Sequence, residues 1–202
     1  MAAPGRVLGR CEEDDGLAPI EVFFGAMLVI FGLIGLSRGF LKELGVTLPM
    51  MFLLFFLNQF SQQLDTGMAK AVQASGRVQI ASQQGLVQCW LYIALLVLAA
   101  FVSYSGETLA YGGTPLRGPQ SIVLGTLTGL LNGYLIVGSI WYYMDKFNYP
   151  IAFMGFSVNN LSSLAQSIIP YLPLNFLGAP FLLGQSLLLY LCALLLLARV
   201  IR

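Results

Sequence analysis

The chain has 202 residues, of which 57% are hydrophobic and 9% charged, with a mean hydropathy of +0.80. Soluble domains carry about 25% charged residues, so a chain this poor in charge cannot cover a water-facing surface and reads as an integral membrane protein. Ten basic and nine acidic residues leave a net charge of +1 with no basic stripe, which argues against nucleic acid as a partner.

Residues 1–17 form a polar arm, with Arg6 and Arg10 followed by Glu12, Glu13, Asp14 and Asp15. No apolar core precedes Leu17, so the arm does not read as a signal peptide. Residues 18–202 read as a single transmembrane helical domain. A helical span takes about 20 apolar residues, and the candidates are 19–36, 40–60, 86–104, 122–143 and 179–198, the second being the weakest. The expected fold is all-α, a polytopic membrane bundle of four or five spans with one or two amphipathic interfacial helices. Leu64, Met68, Ala71 and Val72 recur at helical spacing in the stretch 61–84, which Gly76 would break. After the fourth span, Ser157 is the expected N-cap. Val158, Leu161, Leu164, Ala165 and Ile168 then line one apolar face until Pro170 and Pro173 end it. Both segments are expected to lie along the membrane surface, with re-entrant packing as the alternative.

Basic residues near the span ends set the expected orientation. Arg38, Lys42, Arg117, Arg199 and Arg202 share one side, and Arg6, Arg10, Lys70, Arg77 and Lys146 the other. The first set lies nearer the span ends, which places the C-terminus in the cytoplasm and the N-terminus outside.

The chain contains no histidine. That removes imidazole metal ligation and the usual base for a serine or cysteine nucleophile. Ser186 in Gly184-Gln185-Ser186 therefore lacks a partner, and the triplet reads as helix packing by small residues inside the last span. Cys11, Cys89 and Cys192 are dispersed, as neither a disulfide framework nor a zinc site would have them. Charged residues such as Glu21, Arg38, Asp145 and Arg199 fall near span ends, where they can reach the headgroups. No catalytic residue, metal or cofactor is expected, and the chain does not read as an enzyme.

What remains is packing and anchoring. Ser121, Gly125, Gly129 and Gly133 recur every fourth residue, a smooth stripe for close helix approach, and Gly35 and Gly39 repeat the pattern, as Gly25 and Gly32 do more loosely. The stripe serves either the bundle itself or an interface with a second copy or another membrane subunit. Arg38 and Lys42 read as membrane-surface anchors, and Trp141, Tyr142 and Tyr143 as an interfacial aromatic belt.

Ser37-Arg38-Gly39-Phe40-Leu41-Lys42-Glu43, following a first apolar span, resembles the arginine-glycine-phenylalanine turn of the colicin V production protein family. The stretch from Leu124 to Val137 is similar to that family's glycine-rich last span, and Ser162 to Leu172 to its polar, proline-containing tail. In order, these pieces cover about residues 18–175. The family pattern carries an acidic-basic pair before the glycine span and a basic residue before its last glycine. Ser121, Ile122 and Asn132 stand there instead. The resemblance implies a divergent, non-enzymatic multi-pass protein of the bacterial inner membrane, linked to toxin production or export and to envelope function. An accessory subunit of a larger respiratory, photosynthetic or secretion complex is the alternative, and an oligomeric channel or transporter component the second.

Overall fold

The computed structural model describes residues 20–74, 84–106, 118–150, 161–182 and 184–200. The polar arm 1–17, Gly76, Arg77, Arg117, Ser157, Val158 and Arg202 lie outside them.

The described residues form an all-α membrane bundle with four helices long and apolar enough to cross a bilayer. The first, α1, runs Ile20–Arg38. Gly39 then adopts φ 83°, a left-handed conformation that suits a residue without Cβ, and the next helix, α2, runs Phe40–Gln59. The weakest predicted span is thus one helix of spanning length, and it accommodates Pro49 inside it, as membrane helices do when neighbours satisfy the freed carbonyl. Helix α3, Ser61–Ala74, is the expected amphipathic piece. Leu64, Met68 and Val72, four residues apart, turn to the bundle, whereas Ala71 is exposed.

Two further spans follow, α4 (Gln84–Ser105) and α5 (Pro119–Lys146). Gly118 in a left-handed turn and proline in the first helical position start α5. At 28 residues it is the longest element, and it packs on α1, α2 and α4. The ends of α1 and α4 and the start of α2 share one end of the bundle, where Arg38, Glu43 and Tyr104 meet. The opposite end gathers α3, the start of α4 and the end of α5, where Asp65, Gln88 and Lys146 meet.

The last third departs from expectation. The helix α6 (Ser163–Ile168) is capped by Ser162, which accepts the Ala165 N–H at 3.0 Å, while the expected cap Ser157 lies outside the described residues. A 3₁₀ turn (Ile169–Tyr171) and a four-residue helix α7 (Pro173–Phe176) follow, each opened by proline. Leu164 points outward at 55% exposure, while Ala165, Leu172 and Leu174 are buried. Pro173 packs into the notch at Gly138, where an added Cβ would come within 2.6 Å of its ring.

The fifth predicted span, 179–198, is not one continuous helix. Pro180–Leu182 (β1) pairs antiparallel with Gln185–Ser186 (β2) around Gly184 at φ 74°. Helix α8 begins only at Leu187 and ends at Val200. Its 14 residues rise about 21 Å, short of the hydrocarbon thickness of about 30 Å. Gly184-Gln185-Ser186 therefore makes a hairpin and not a helix-packing triplet.

Candidate functional site

The chemically richest place lies inside the bundle. Glu43 and Thr47 are one helical turn apart on the buried face of α2, in register with Met50 and Leu54. The Glu43 side chain has no solvent exposure. Its Oε2 accepts from Asn132 Nδ2 of α5 at 2.8 Å and from the Tyr104 hydroxyl of α4 at 3.0 Å. Arg38 Nε of α1 stands 3.4 Å from Oε1, an ion-pair distance without hydrogen-bond alignment, and Oε1 has no hydrogen-bond partner.

Asn132 is fully used. Its amide also donates to the Glu43 main-chain oxygen at 3.0 Å, and its Oδ1 lies 2.7 Å from Thr47 Oγ1. A main-chain carbonyl can only accept, which fixes the amide's orientation. The Arg38 guanidinium donates through Nη1 to the Tyr104 carbonyl at 3.1 Å and lies 4.7 Å from that residue's ring centroid. Four helices thus converge on one carboxylate. Its neighbours are donors, and the guanidinium supplies the compensating charge, so the cluster acts as a clamp. Among the described residues, no group of three or more His, Cys, Asp or Glu could hold a metal ion.

A second polar cluster fastens the opposite end. Lys146 Nζ pairs with Asp65 Oδ2 at 2.6 Å, and the Tyr92 hydroxyl donates to Asp65 Oδ1 at 2.7 Å. The ammonium lies 5.4–5.8 Å from the ring centroids of Tyr92, Tyr143 and Phe147. Gln88 Nε2 donates to the Asp65 carbonyl at 3.0 Å, so α3 is tied to α4 and α5 together. Beyond α5, Tyr149 accepts the Trp141 indole N–H at 2.9 Å. Burial pushes the Tyr149 phenol up to about 12, so it stays neutral at physiological pH.

The glycine stripe is filled from within the chain. A Cβ at Gly35 would meet the Gly125 carbonyl and lie 2.7 Å from Gly129 Cα, and one at Gly133 would lie 2.7 Å from Phe31 Cβ. With α1 seated on them, Gly125, Gly129 and Gly133 are closed to a second copy or a partner helix. Ser121, at the head of the stripe, is partly exposed. Gly39 contributes its backbone, 3.4 Å from an added Cβ at Gly125, while its own Cβ position is open, as is that of Gly25.

The expected anchors divide. Lys42 is exposed. Arg38 turns inward to Glu43. Trp141 and Tyr143 are 2% exposed core residues, the first edge-on to Phe24 and the second stacked on Tyr92 with centroids 4.2 Å apart. Tyr142 is half-buried beside Tyr143. Trp141 and Tyr143 thus pack the bundle's interior, away from a headgroup belt. No family model, curated protein or solved structure matches the chain.

Proposed function

We propose that this chain is a divergent relative of the colicin V production proteins, a non-enzymatic multi-pass protein of the bacterial inner membrane that supports toxin export and envelope function as a scaffold. One observation carries this reading: motifs remote in sequence meet in space. Gly35 of the arginine-glycine turn packs on Gly125 and Gly129 of the glycine-rich span. Glu43, which closes the first motif, accepts two hydrogen bonds from Asn132 in the second.

Asn132 stands where the family pattern has a basic residue, so the departure from the pattern falls on the partner of a buried acid. A base at that position would pair with the acid directly. Here an amide binds it and Arg38 supplies the charge. The scaffold's partners dock elsewhere than the glycine stripe, which α1 occupies, and Lys42 at the turn favours an anionic cytoplasmic surface.

The experiment is complementation. The chain is expressed in a bacterium deleted for its own colicin V production protein, and toxin export is measured with the native protein as positive control. Restored export supports the proposal. A membrane-inserted chain that restores nothing, and that co-purifies stoichiometrically with a large respiratory or secretion complex, replaces it with the accessory-subunit reading.

A further inference from the structure

Hydrocarbon cannot hydrogen-bond a peptide group, so irregular backbone enters a bilayer only where protein satisfies it. Many backbone groups of the described residues 161–182 have such partners. Gln166, Leu172, Phe176, Leu177 and Gly178 N–H groups donate back along the segment at 2.8–3.2 Å. Carbonyls left over are taken by side chains: Tyr134 Oη donates to Tyr171 O at 2.6 Å, Asn175 Nδ2 to Ile169 O at 2.8 Å, and Asn58 Nδ2 to Gly178 O at 3.4 Å. Pro170, Pro173 and Pro180 carry no N–H to satisfy.

Depth follows from the contacts. Ser162 marks the entrance, bonded to Glu21 near the start of α1. Pro173 reaches Gly138, eight residues before Lys146, or about 12 Å along the α5 axis. Phe24 of α1 closes on the same notch, 3.6 Å from the added Cβ. The inner edge of the segment fills the core, and its exposed edge carries large apolar side chains beside Gln166, Ser167 and Asn175, whose polar groups donate back to carbonyls of the segment. Leu164, Tyr171, Phe176 and Phe181 are 55%, 66%, 53% and 69% exposed, as Val22 and Phe23 near the start of α1 are exposed.

We infer that residues 163–182 form a re-entrant wedge in the leaflet opposite the Arg38 turn, with Leu164, Tyr171, Phe176 and Phe181 against phospholipid acyl chains. The partner of this surface is lipid, not protein or water.

Spin labelling of the full chain in phosphatidylethanolamine–phosphatidylglycerol vesicles tests it. Cys11→Ser removes the cysteine of the arm, and Cys89 and Cys192 are buried. Nitroxides are placed at Phe176→Cys and, as an independent position, Tyr171→Cys. Val29→Cys on the outer face of α1 gives the lipid reference and Gln62→Cys on α3 the aqueous one. Collision with oxygen should exceed collision with a water-soluble nickel chelate, matching Val29. A nickel-dominated response like that of Gln62 overturns the wedge in favour of a water-facing segment. Low collision with both reagents overturns it in favour of protein cover.

Discussion

Asn132 decides whether Glu43 is tolerable. Interhelical hydrogen bonds in membranes average about 0.6 kcal/mol, but Asn132 gives both amide hydrogens to one residue, one of them to a fully buried carboxylate. The charged acceptor dominates, so Asn132→Leu should cost about 2–3 kcal/mol, measured by steric trapping in bicelles. Asn132→Lys should cost less, because an ammonium there can pair with the acid. If the lysine variant proves the less stable of the two, a base at that position does not pair with Glu43. The presence of Glu43 was plain in the sequence, but its burial was not. Its place four residues after Gly39 suggests a surface group, and the sign of burial is its helical phase with Thr47, Met50 and Leu54. Trp141 misleads for a similar reason. Aromatic residues near a span end fit a headgroup belt, and only the placement of Phe24 and Tyr149 around Trp141 reveals a core position.

Among elements, the α1–α5 contact is the closest, and its glycines are not equivalent. A Cβ on Gly129 would strike the Phe31 carbonyl and lie 2.8 Å from Gly35 Cα. Neither helix backbone can yield locally, so Gly129→Ala should force the helices apart and cost about 1–3 kcal/mol. Gly25, on the same helix as Gly35, has nothing within 4 Å of its Cβ position. Gly25→Ala should therefore stabilise by about 0.5–1 kcal/mol through helix propensity alone. Thermal unfolding of the two variants in one detergent checks the contrast, and equal losses would deny the stripe its packing role. The four long spans were legible because length and hydropathy suffice to define them. The fifth was not: Gln185 and Ser186 are flanked by apolar runs, so 179–198 averages as one span, and the hairpin interrupting it is set by Pro180 and by Gly184 in its left-handed turn, backbone effects to which hydropathy is blind.

For the whole molecule, two polar clusters hold opposite ends of one bundle. Arg38, Glu43 and Tyr104 join the ends of α1 and α4 to the start of α2. Asp65, Tyr92 and Lys146 join α3 to the start of α4 and the end of α5. The end with Asp65 and Lys146 is partly exposed, so the ion pair there should add about 1 kcal/mol or less and act mainly on local geometry. Asp65→Asn should consequently leave the unfolding temperature nearly unchanged while loosening α3, seen as faster hydrogen exchange across Ser61–Ala74. The connectivity makes a firmer demand. If α1, α2 and α4 each cross the membrane, Ser37 and Ser105, both exposed, lie on one side, and the exposed Gln62 lies on the other. Single cysteines at these positions should label in that pattern with an impermeant maleimide on intact cells and on inverted vesicles. Labelling of Ser37 and Gln62 from the same side would require α2 to turn back within the bilayer. The burial of Glu43, which depends on Tyr104 of α4 and Asn132 of α5 reaching α2, would then have to be abandoned with it.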